Sequence, residues 1–304
     1  MLKPKPKLKE RHLEIFRVVM ATNSLTAAAR HLGLSQPNLS IAIKRLEDQL
    51  GVALFARISG RMVPTEEALL ILKEVEHVHQ QSEMLSDVVY AIAQGKGSTF
   101  RFGATPSLGM RLLPKALRQL QLKGTASTYY CDSLSQRDIR DYLLFGQGAC
   151  VATIAEVEDP LLETVKIGEA KLVCVVPAHH ALASRSSVTP RDLAGETLIS
   201  FAAATTHGLY IDETFHRWGA VRETSVFVHF VEAALAYVAE GIGITILDTF
   251  SAMDCTANGL VAIPVENSVA IPAYVHSCRL RPRPSAAGVL IEELRILAAS
   301  ASSS

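Results

Sequence analysis

The sequence predicts an α/β protein with a separate, basic helical module at its N-terminus. Three observations lead to this prediction: residues 24–51 show two short helices joined by a tight turn, residues 66–97 show helical periodicity, and strand and helix patterns alternate from Thr99 onward. The chain has 304 residues, of which 49 % are hydrophobic. It is therefore long and apolar enough for two or three domains with real cores.

The first element is a helix-turn-helix with recognisable start and stop signals. Ser24 is placed to cap a first helix over residues 25–32. Gly33 ends that helix, because glycine enters a left-handed turn at no steric cost. Ser35 caps the second helix, and Pro37 lies in its first turn, where a missing N–H group costs nothing.

The second helix has one apolar face and one polar face. At helical spacing the inward positions are Leu39, Ala42, Ile43, Leu46 and Leu50. The outward positions are Gln36, Asn38, Ser40, Lys44 and Arg45. Short amide and hydroxyl side chains reach base edges, whereas Lys and Arg neutralise phosphates, so this face suits the major groove of DNA. The alternative is an ordinary Ala-rich helical hairpin with a solvated basic face.

A small hairpin, or wing, is predicted in the following stretch VALFARISGRMVPT, with Gly60 in its turn. Arg57 and Arg61 flank that turn and are expected to lie on the DNA backbone or in the minor groove. The predicted DNA-binding residues are therefore Ser35, Gln36, Pro37, Asn38, Ser40, Lys44, Arg45, Arg57 and Arg61.

The distribution of charge supports nucleic-acid binding more strongly than the total charge does. The whole chain has 30 Lys and Arg against 30 Asp and Glu. Residues 1–65 hold 11 basic and four acidic side chains, a net charge of +7, so the remaining residues carry −7. A basic module on an acidic body contacts phosphates without indiscriminate binding by the rest of the chain. The Lys-Pro run KPKPKLK at the start is expected to be a flexible arm.

A long helix is predicted after the wing, in residues 66–97. Thr65 can cap it, Glu66 and Glu67 suit the positive end of its dipole, and Gly95 and Gly97 close it. A helix of this length cannot bury its apolar stripe against a small module alone, so we predict a partner helix from a second chain. The alternative is a long helix packed on its own body.

The body of the protein is predicted to have mostly parallel sheets, because strands and helices alternate along it. Ligands of such sheets bind at the carboxyl ends of the strands. The five cysteines are scattered and never in a CxxC spacing, so they read as small buried hydrophobes in a reducing cytoplasm. No membrane helix and no signal peptide are expected, since no apolar run is long enough and none follows the N-terminal lysines.

The chain resembles the LysR-type transcriptional regulators. The residues that carry the resemblance are RHLEIFRVVM, SLTAAARHLGLSQPNLS, RLEDQLGVALFAR and VPTEEA, then FGATPSLGMRLLP, VVPAHHALA and VAEGIGITIL in the family's order. RHLEIF, GRMVPT and NGLVAIPV are most similar to the subgroup that responds to basic amino acids and opines. The position after Ser40 is commonly Arg in this family and is Ile41 here, which removes one expected DNA contact.

The resemblance implies a winged helix-turn-helix over 1–65, a linker and dimerisation helix over 66–97, and an effector-binding domain over 98–304. That domain would resemble periplasmic solute-binding proteins, with a first lobe over about 98–168 and 267–304 and a second over about 169–266. The effector would lie between the lobes. Matching the motifs places Thr105 and Ser107 after the first strand, Thr153 beside the hinge and Thr206 at a helix start in the second lobe. Each of these residues, taken alone, is also an ordinary helix cap.

Enzymatic chemistry has little support in the sequence. Ser107 does not stand in a nucleophile elbow, and His77, His79, His179 and His180 have no evident partners for a metal ion. We therefore predict no enzyme, no cofactor and no metal.

The predicted function is that of a sequence-specific DNA-binding transcriptional regulator in the cytoplasm. Its partners would be double-stranded promoter or operator DNA, a small-molecule effector that is amino-acid-like or another organic anion, and further copies of itself as a dimer or tetramer, but no membrane. The alternatives are a ligand-independent regulator with a vestigial cleft and, less favoured, an enzyme of solute-binding-like fold.

Overall fold

A computed structural model describes residues 8–58, 61–93 and 99–302 of the chain. The predicted N-terminal arm, Gly60 in the wing turn, and Gly95 and Gly97 after the long helix lie outside the described residues. The chain divides into two compact units, Met1–Tyr90 and Ala91–Ser304.

The first unit contains the predicted helix-turn-helix, wing and long helix. Its elements are α1 (Glu10–Thr22), α2 (Leu25–His31), α3 (Gln36–Leu50), β1 (Phe55–Ile58), β2 (Arg61–Pro64) and α4 (Glu66–Ala93). Strands β1 and β2 pair antiparallel, with Phe55 opposite Pro64 and Ile58 opposite Arg61.

The helix boundaries in this unit follow the predicted caps. Ser24 Oγ accepts the N–H of Ala27, and Ser35 Oγ accepts the N–H of Asn38. Gly33 has a φ of 65°, the left-handed conformation expected of it. Each cap satisfies a backbone donor that its helix leaves without an intrahelical partner. Local chemistry therefore fixes these helix starts and the turn between α2 and α3.

The second unit is built on two five-stranded sheets. The first sheet has the strand order β4-β3-β5-β12-β6 and the second has the order β11-β7-β10-β8-β9. The strands of the first sheet are β3 (Thr99–Ala104), β4 (Thr128–Ser133), β5 (Val151–Thr153), β6 (Leu162–Ala170) and β12 (Ile271–Cys278). Those of the second sheet are β7 (Leu172–Pro177), β8 (Leu198–Phe201), β9 (Val226–Val228), β10 (Ile244–Asp248) and β11 (Leu260–Pro264).

Helices pack on both sheets. They are α5 (Pro106–Gly109), α6 (Leu112–Leu122), α7 (Ile139–Leu144), α8 (Pro190–Leu193), α9 (Thr206–Arg217), α10 (Val231–Ala239) and α11 (Ser285–Ser302). We call each sheet with its packed helices a lobe. In the first lobe α11 packs on β6 and α6, and in the second lobe α9 packs on β8 and β10. One continuous hydrophobic core runs through both lobes, with Phe102, Phe201 and Phe250 among its fully buried side chains.

Two predictions about this unit are wrong. The sequence predicts mostly parallel sheets, but both sheets are mixed. Antiparallel pairing with all their neighbours is found in β6, β7, β11 and β12. The parallel pairs are formed among β3, β4 and β5 and among β8, β9 and β10. The stretch PSLGMRLLPKALRQLQ after β3, for which the sequence predicts a single helix, forms two helices, α5 and α6. Pro114 has no N–H to donate to an earlier turn, so α6 starts afresh just before it.

The cysteines also differ in part from expectation. All five are free, and Cys150, Cys174 and Cys255 are buried as predicted. Cys131 is exposed, because β4 is an edge strand of the first sheet. Among the described helices, none combines the length and the apolar character that crossing a membrane requires.

Candidate functional site

The outward face of α3 is open to solvent along its whole length. Ser35 at the cap and the helix residues Gln36, Pro37, Asn38, Ser40, Lys44 and Arg45 are all exposed. The opposite face is sealed, because Leu39, Ile43 and Leu46 are buried. The sequence-predicted set thus lies together on one exposed surface.

Close packing behind α3 holds that surface in place. Leu39 and Ile43 belong to a cluster with Val19 of α1 and with Ala28 and Ala29 of α2. Small alanine side chains let the helix axes approach, so α1 and α2 form a rigid backing. The orientation of the outward side chains is therefore set by a packed core and not by their own contacts.

The wing is fastened to α3 by one carboxylate. Glu47 Oε1 accepts the backbone N–H groups of Leu54 at 2.8 Å and of Phe55 at 3.2 Å. Thr65 Oγ1 closes the other end of the wing by donating to the carbonyl of Ala53 at 2.8 Å. Arg57 is exposed on β1, and the backbone of Arg61 lies opposite Ile58 on β2, whereas the side chain of Arg61 lies outside the described part.

The charges on α3 are available for a partner. Lys44 Nζ lies 3.3 Å from Asp48 Oδ1, but both side chains are more than 60 % exposed. An exposed pair of this kind contributes little to stability and is screened by salt, so a phosphate can replace the carboxylate at small cost.

A second group of polar side chains lies at the carboxyl ends of the strands of the first lobe. Thr105 and Ser107 follow β3, and their hydroxyl oxygens are 3.5 Å apart. Gln136 follows β4, and Thr153 ends β5. Parallel strands present their carboxyl ends at one edge of a sheet, so these residues share that edge.

The three predicted residues of this group are all buried, with 8 % of Thr105, 3 % of Ser107 and 0 % of Thr153 exposed. Thr153 differs in that its hydroxyl has two hydrogen-bond partners. Its hydroxyl donates to Gln136 Oε1 at 3.1 Å and accepts the N–H of Ala155 at 3.2 Å. The hydroxyl therefore already has its partners, and its effect on the edge is to fix the Gln136 side chain.

The second lobe presents a matching edge where β8 leads into α9. Thr205 caps α9 by accepting the N–H of Gly208, and Thr206 is the first helical residue, as its predicted position requires. His207 follows, and its Nε2 lies 2.6 Å from Asp248 Oδ2 at the end of β10. The His207 ring also stacks on Phe201, with ring centroids 5.0 Å apart.

Asp248 anchors this edge from inside the lobe. Burial by itself raises the pKa of its carboxyl group, but hydrogen bonds from His207 and Ser251 outweigh burial and leave the pKa below its ordinary value. Ser251 donates to it through both its N–H and its hydroxyl, at 2.9 and 2.6 Å. The carboxylate thus remains ionised, and it fixes the ring of His207 beside Thr206.

The two edges meet through a hydrogen bond between the lobes. Tyr210, one turn after Thr206 on α9, donates its hydroxyl to the carbonyl of Ile154 at 3.1 Å. Next to Ile154, the carbonyl of Ala155 accepts from His276 Nε2, whose other ring nitrogen lies 2.9 Å from Thr164 Oγ1. Burial lowers the pKa of His276, so its ring is neutral near pH 7.

Sequence reasoning missed four residues of these sites: Glu47, Gln136, His207 and Asp248. The sequence position of Gln136 and of Asp248 could have identified them, since each stands at the carboxyl end of a strand that has a parallel neighbour. No sequence feature identifies Glu47 or His207, because their hydrogen-bond partners lie on other elements.

Comparisons with known proteins agree with this architecture. Residues 10–69 match the family model for bacterial regulatory helix-turn-helix proteins of the lysR family, and residues 93–298 match that of the LysR substrate binding domain. The chain is 28 % identical over 282 residues to the transcriptional activator protein LysR of Escherichia coli K12, covering 91 % of this chain and 88 % of that protein.

Two further relatives extend the comparison. The octopine catabolism/uptake operon regulatory protein OccR of Rhizobium meliloti is 27 % identical over 252 residues, covering 80 % of this chain and 81 % of that protein. The crystal structure of CbnR, a LysR family transcriptional regulator, has the same fold, with a TM-score of 0.76 at 20 % identity over 96 % of this chain and 99 % of that one.

These matches decide between the classes that the sequence left open. Two matched models span nearly the whole chain, one for each unit, and the relatives are named as transcriptional regulators and not as enzymes. The chain therefore belongs to the LysR family, as a DNA-binding transcriptional regulator with an effector-binding domain.

Proposed function

We propose that α3 enters the major groove and reads the operator with its outward face. Gln36, Asn38 and Ser40 hydrogen-bond to base edges, whereas Lys44 and Arg45 neutralise phosphates. Ser35 and Pro37 bring the helix start close to the DNA backbone, and Arg57 and Arg61 contact it from the wing. The observation that carries this proposal is the division of α3 into a sealed face and an open polar face.

Selection from random duplexes with the full-length protein tests the reading role. Gln36→Ala or Asn38→Ala is expected to relax base preference at single positions, by about 1 to 3 kcal/mol for each lost bidentate contact. Gln121→Ala, an exposed glutamine on α6 of the second unit, is the control and leaves the preference unchanged. Unaltered preferences in both α3 variants would refute the assignment of these readers.

We further propose that the effector binds where the carboxyl edges of the two lobes face each other. Thr105 and Ser107 contact it from the first lobe and Thr206 from the second, while Thr153 acts through Gln136. Hydroxyl and amide groups suit the carboxylate of an amino-acid-like molecule or another organic anion. The relative OccR, named for octopine catabolism and uptake, supports the amino-acid-like class.

Calorimetric titration with octopine, lysine, arginine and simple organic acids tests the effector proposal. Ser107→Ala and Thr206→Val are expected to weaken whichever of these ligands binds, each by about 1 kcal/mol or roughly fivefold, the net value of one hydrogen bond. Arg295→Gln on α11, which loses only an exposed pair with Glu292, is the control. Absence of binding across the whole set would favour the regulator with a vestigial cleft.

We propose that α4 joins two copies of the chain. Its residues Ala68 and Val75 are buried on the first unit, but large apolar side chains elsewhere on the helix are exposed: Leu69, Leu70, Val78, Leu85, Val89 and Tyr90. A second α4 would bury them, which favours a dimer that can pair into a tetramer. Leu70→Glu with Val78→Glu is expected to lower the mass measured by sedimentation, and an unchanged mass would contradict this interface.

We propose a cytoplasmic location and two states of the assembled regulator. All five cysteines are free, as a reducing compartment maintains them. The effector acts by binding one arrangement of the lobes more tightly than another, which shifts the half-sites that the oligomer engages. We also propose the domain boundaries that the resemblance implies, after residues 65, 97, 168 and 266.

A further inference from the structure

Ile41 is out of place on the outward face of α3. Within α3, all of which the structure describes, it is the only large hydrophobic side chain that is exposed, with 52 % of its surface accessible. The other outward side chains are polar, charged or, in Pro37, fixed in the first turn. Ile41 belongs to none of the hydrophobic clusters of the described residues, so core packing does not account for a branched hydrocarbon on this polar face.

The helical geometry puts Ile41 at the centre of that face. At 100° per residue, it points about 165° away from the mean direction of the buried Leu39, Ile43 and Leu46. Asn38 lies one turn before it and Lys44 and Arg45 one turn after it, on the same side of the helix. If α3 enters the groove as proposed above, Ile41 faces the base edges more directly than its neighbours do.

The chemistry of an isoleucine restricts what it can face there. It offers neither donor nor acceptor, so against the polar edge of guanine, cytosine or adenine it would remove water from hydrogen-bonding groups and return nothing. The thymine C5-methyl group is the one apolar group that the major-groove edges of the bases present. We propose that Ile41 is a specificity-determining residue that selects thymine by contact with this methyl group, once in each operator half-site.

Replacing thymine by deoxyuridine tests this contact with minimal change, since uracil lacks only the methyl group and pairs as thymine does. In a site selected by the full-length wild-type protein, each thymine is replaced singly and the dissociation constant is measured by fluorescence anisotropy. At one thymine per half-site, uracil is expected to weaken wild-type binding about fourfold, the equivalent of one buried methyl group. Ile41→Ala is expected to bind thymine and uracil equally at that position.

A second variant separates the methyl contact from electrostatics. Ile41→Arg is expected to lose the discrimination between thymine and uracil and to steepen the salt dependence of binding by about one phosphate contact. Ile41→Ala is expected to leave the salt dependence unchanged. Both variants are expected to fold, because the residue is exposed. Far-ultraviolet circular dichroism checks that they do.

Three results overturn the inference: wild-type protein that is indifferent to uracil at every position, Ile41→Ala protein that remains as sensitive as the wild type, or a selected site without thymine in its half-sites. The inference rests on the proposed reading role of α3, and the two fail differently. If no duplex is bound in a salt-sensitive way, the reading role of α3 fails. If a duplex is bound specifically but without regard to the methyl group, only the assignment of Ile41 fails.

Discussion

Removing the Glu47 carboxylate is expected to release the wing from α3. In Glu47→Ala the N–H groups of Leu54 and Phe55 lose their shared acceptor, and Leu54 is completely buried. A buried donor left without a partner costs about 1 to 3 kcal/mol, so the loss of both bonds weakens the attachment by about 2 to 6 kcal/mol. In Glu47→Gln one amide oxygen remains as acceptor, and the cost falls to about 1 kcal/mol.

Amide hydrogen exchange of the full-length protein measures this attachment locally. At about 1.4 kcal/mol per factor of ten, protection of the Leu54 and Phe55 amides is expected to fall at least thirtyfold in Glu47→Ala and about fivefold in Glu47→Gln. Asp48→Asn is the matched control, because this neighbouring acid makes only an exposed pair with Lys44. Protection in Glu47→Ala equal to that in the control would refute the role of the carboxylate.

Two further predictions concern the second unit. Asp248→Asn removes the buried charge that accepts from His207 and Ser251 and is expected to destabilise this unit by about 1 to 3 kcal/mol, seen as a lower transition temperature in calorimetry, whereas Glu213→Gln in an exposed pair has almost no effect. Because burial lowers the pKa of His276, its contribution to stability is complete above about pH 6.5, the ordinary histidine value, and is lost as the pH falls below it. The stability difference between wild type and His276→Gln should therefore narrow from pH 7 to pH 5, and parallel stability curves would contradict this account.

The features that sequence analysis predicted correctly are those that local chemistry determines. Ser24, Gly33, Ser35 and Thr65 act within a few residues of their own position, so cap and turn rules placed α2, α3 and the start of α4 closely. The split of α3 into two faces followed from spacing alone.

What sequence analysis missed depends on partners far along the chain. Strands β6 and β12 pair with each other across more than a hundred residues. β6 lacks the simple alternation of a half-buried strand, and in β12 the alternation ends at three consecutive buried residues, Val275, His276 and Ser277. The same holds in the candidate site, where His207 meets Asp248 from another element. The burial of Thr153 likewise depends on β12, which pairs beside it.

The salt dependence of DNA affinity tests most directly whether the outward face of α3 contacts DNA. The double variant Lys44→Gln, Arg45→Gln should reduce the slope of log K against log salt by about 1.8, since each lost phosphate contact removes about 0.9. Raising the salt from 50 to 200 mM should therefore weaken binding by the wild type about twelvefold more than binding by the double variant. Arg295→Gln on α11 should keep the wild-type slope. A double variant with wild-type affinity and slope would show that this face does not contact DNA.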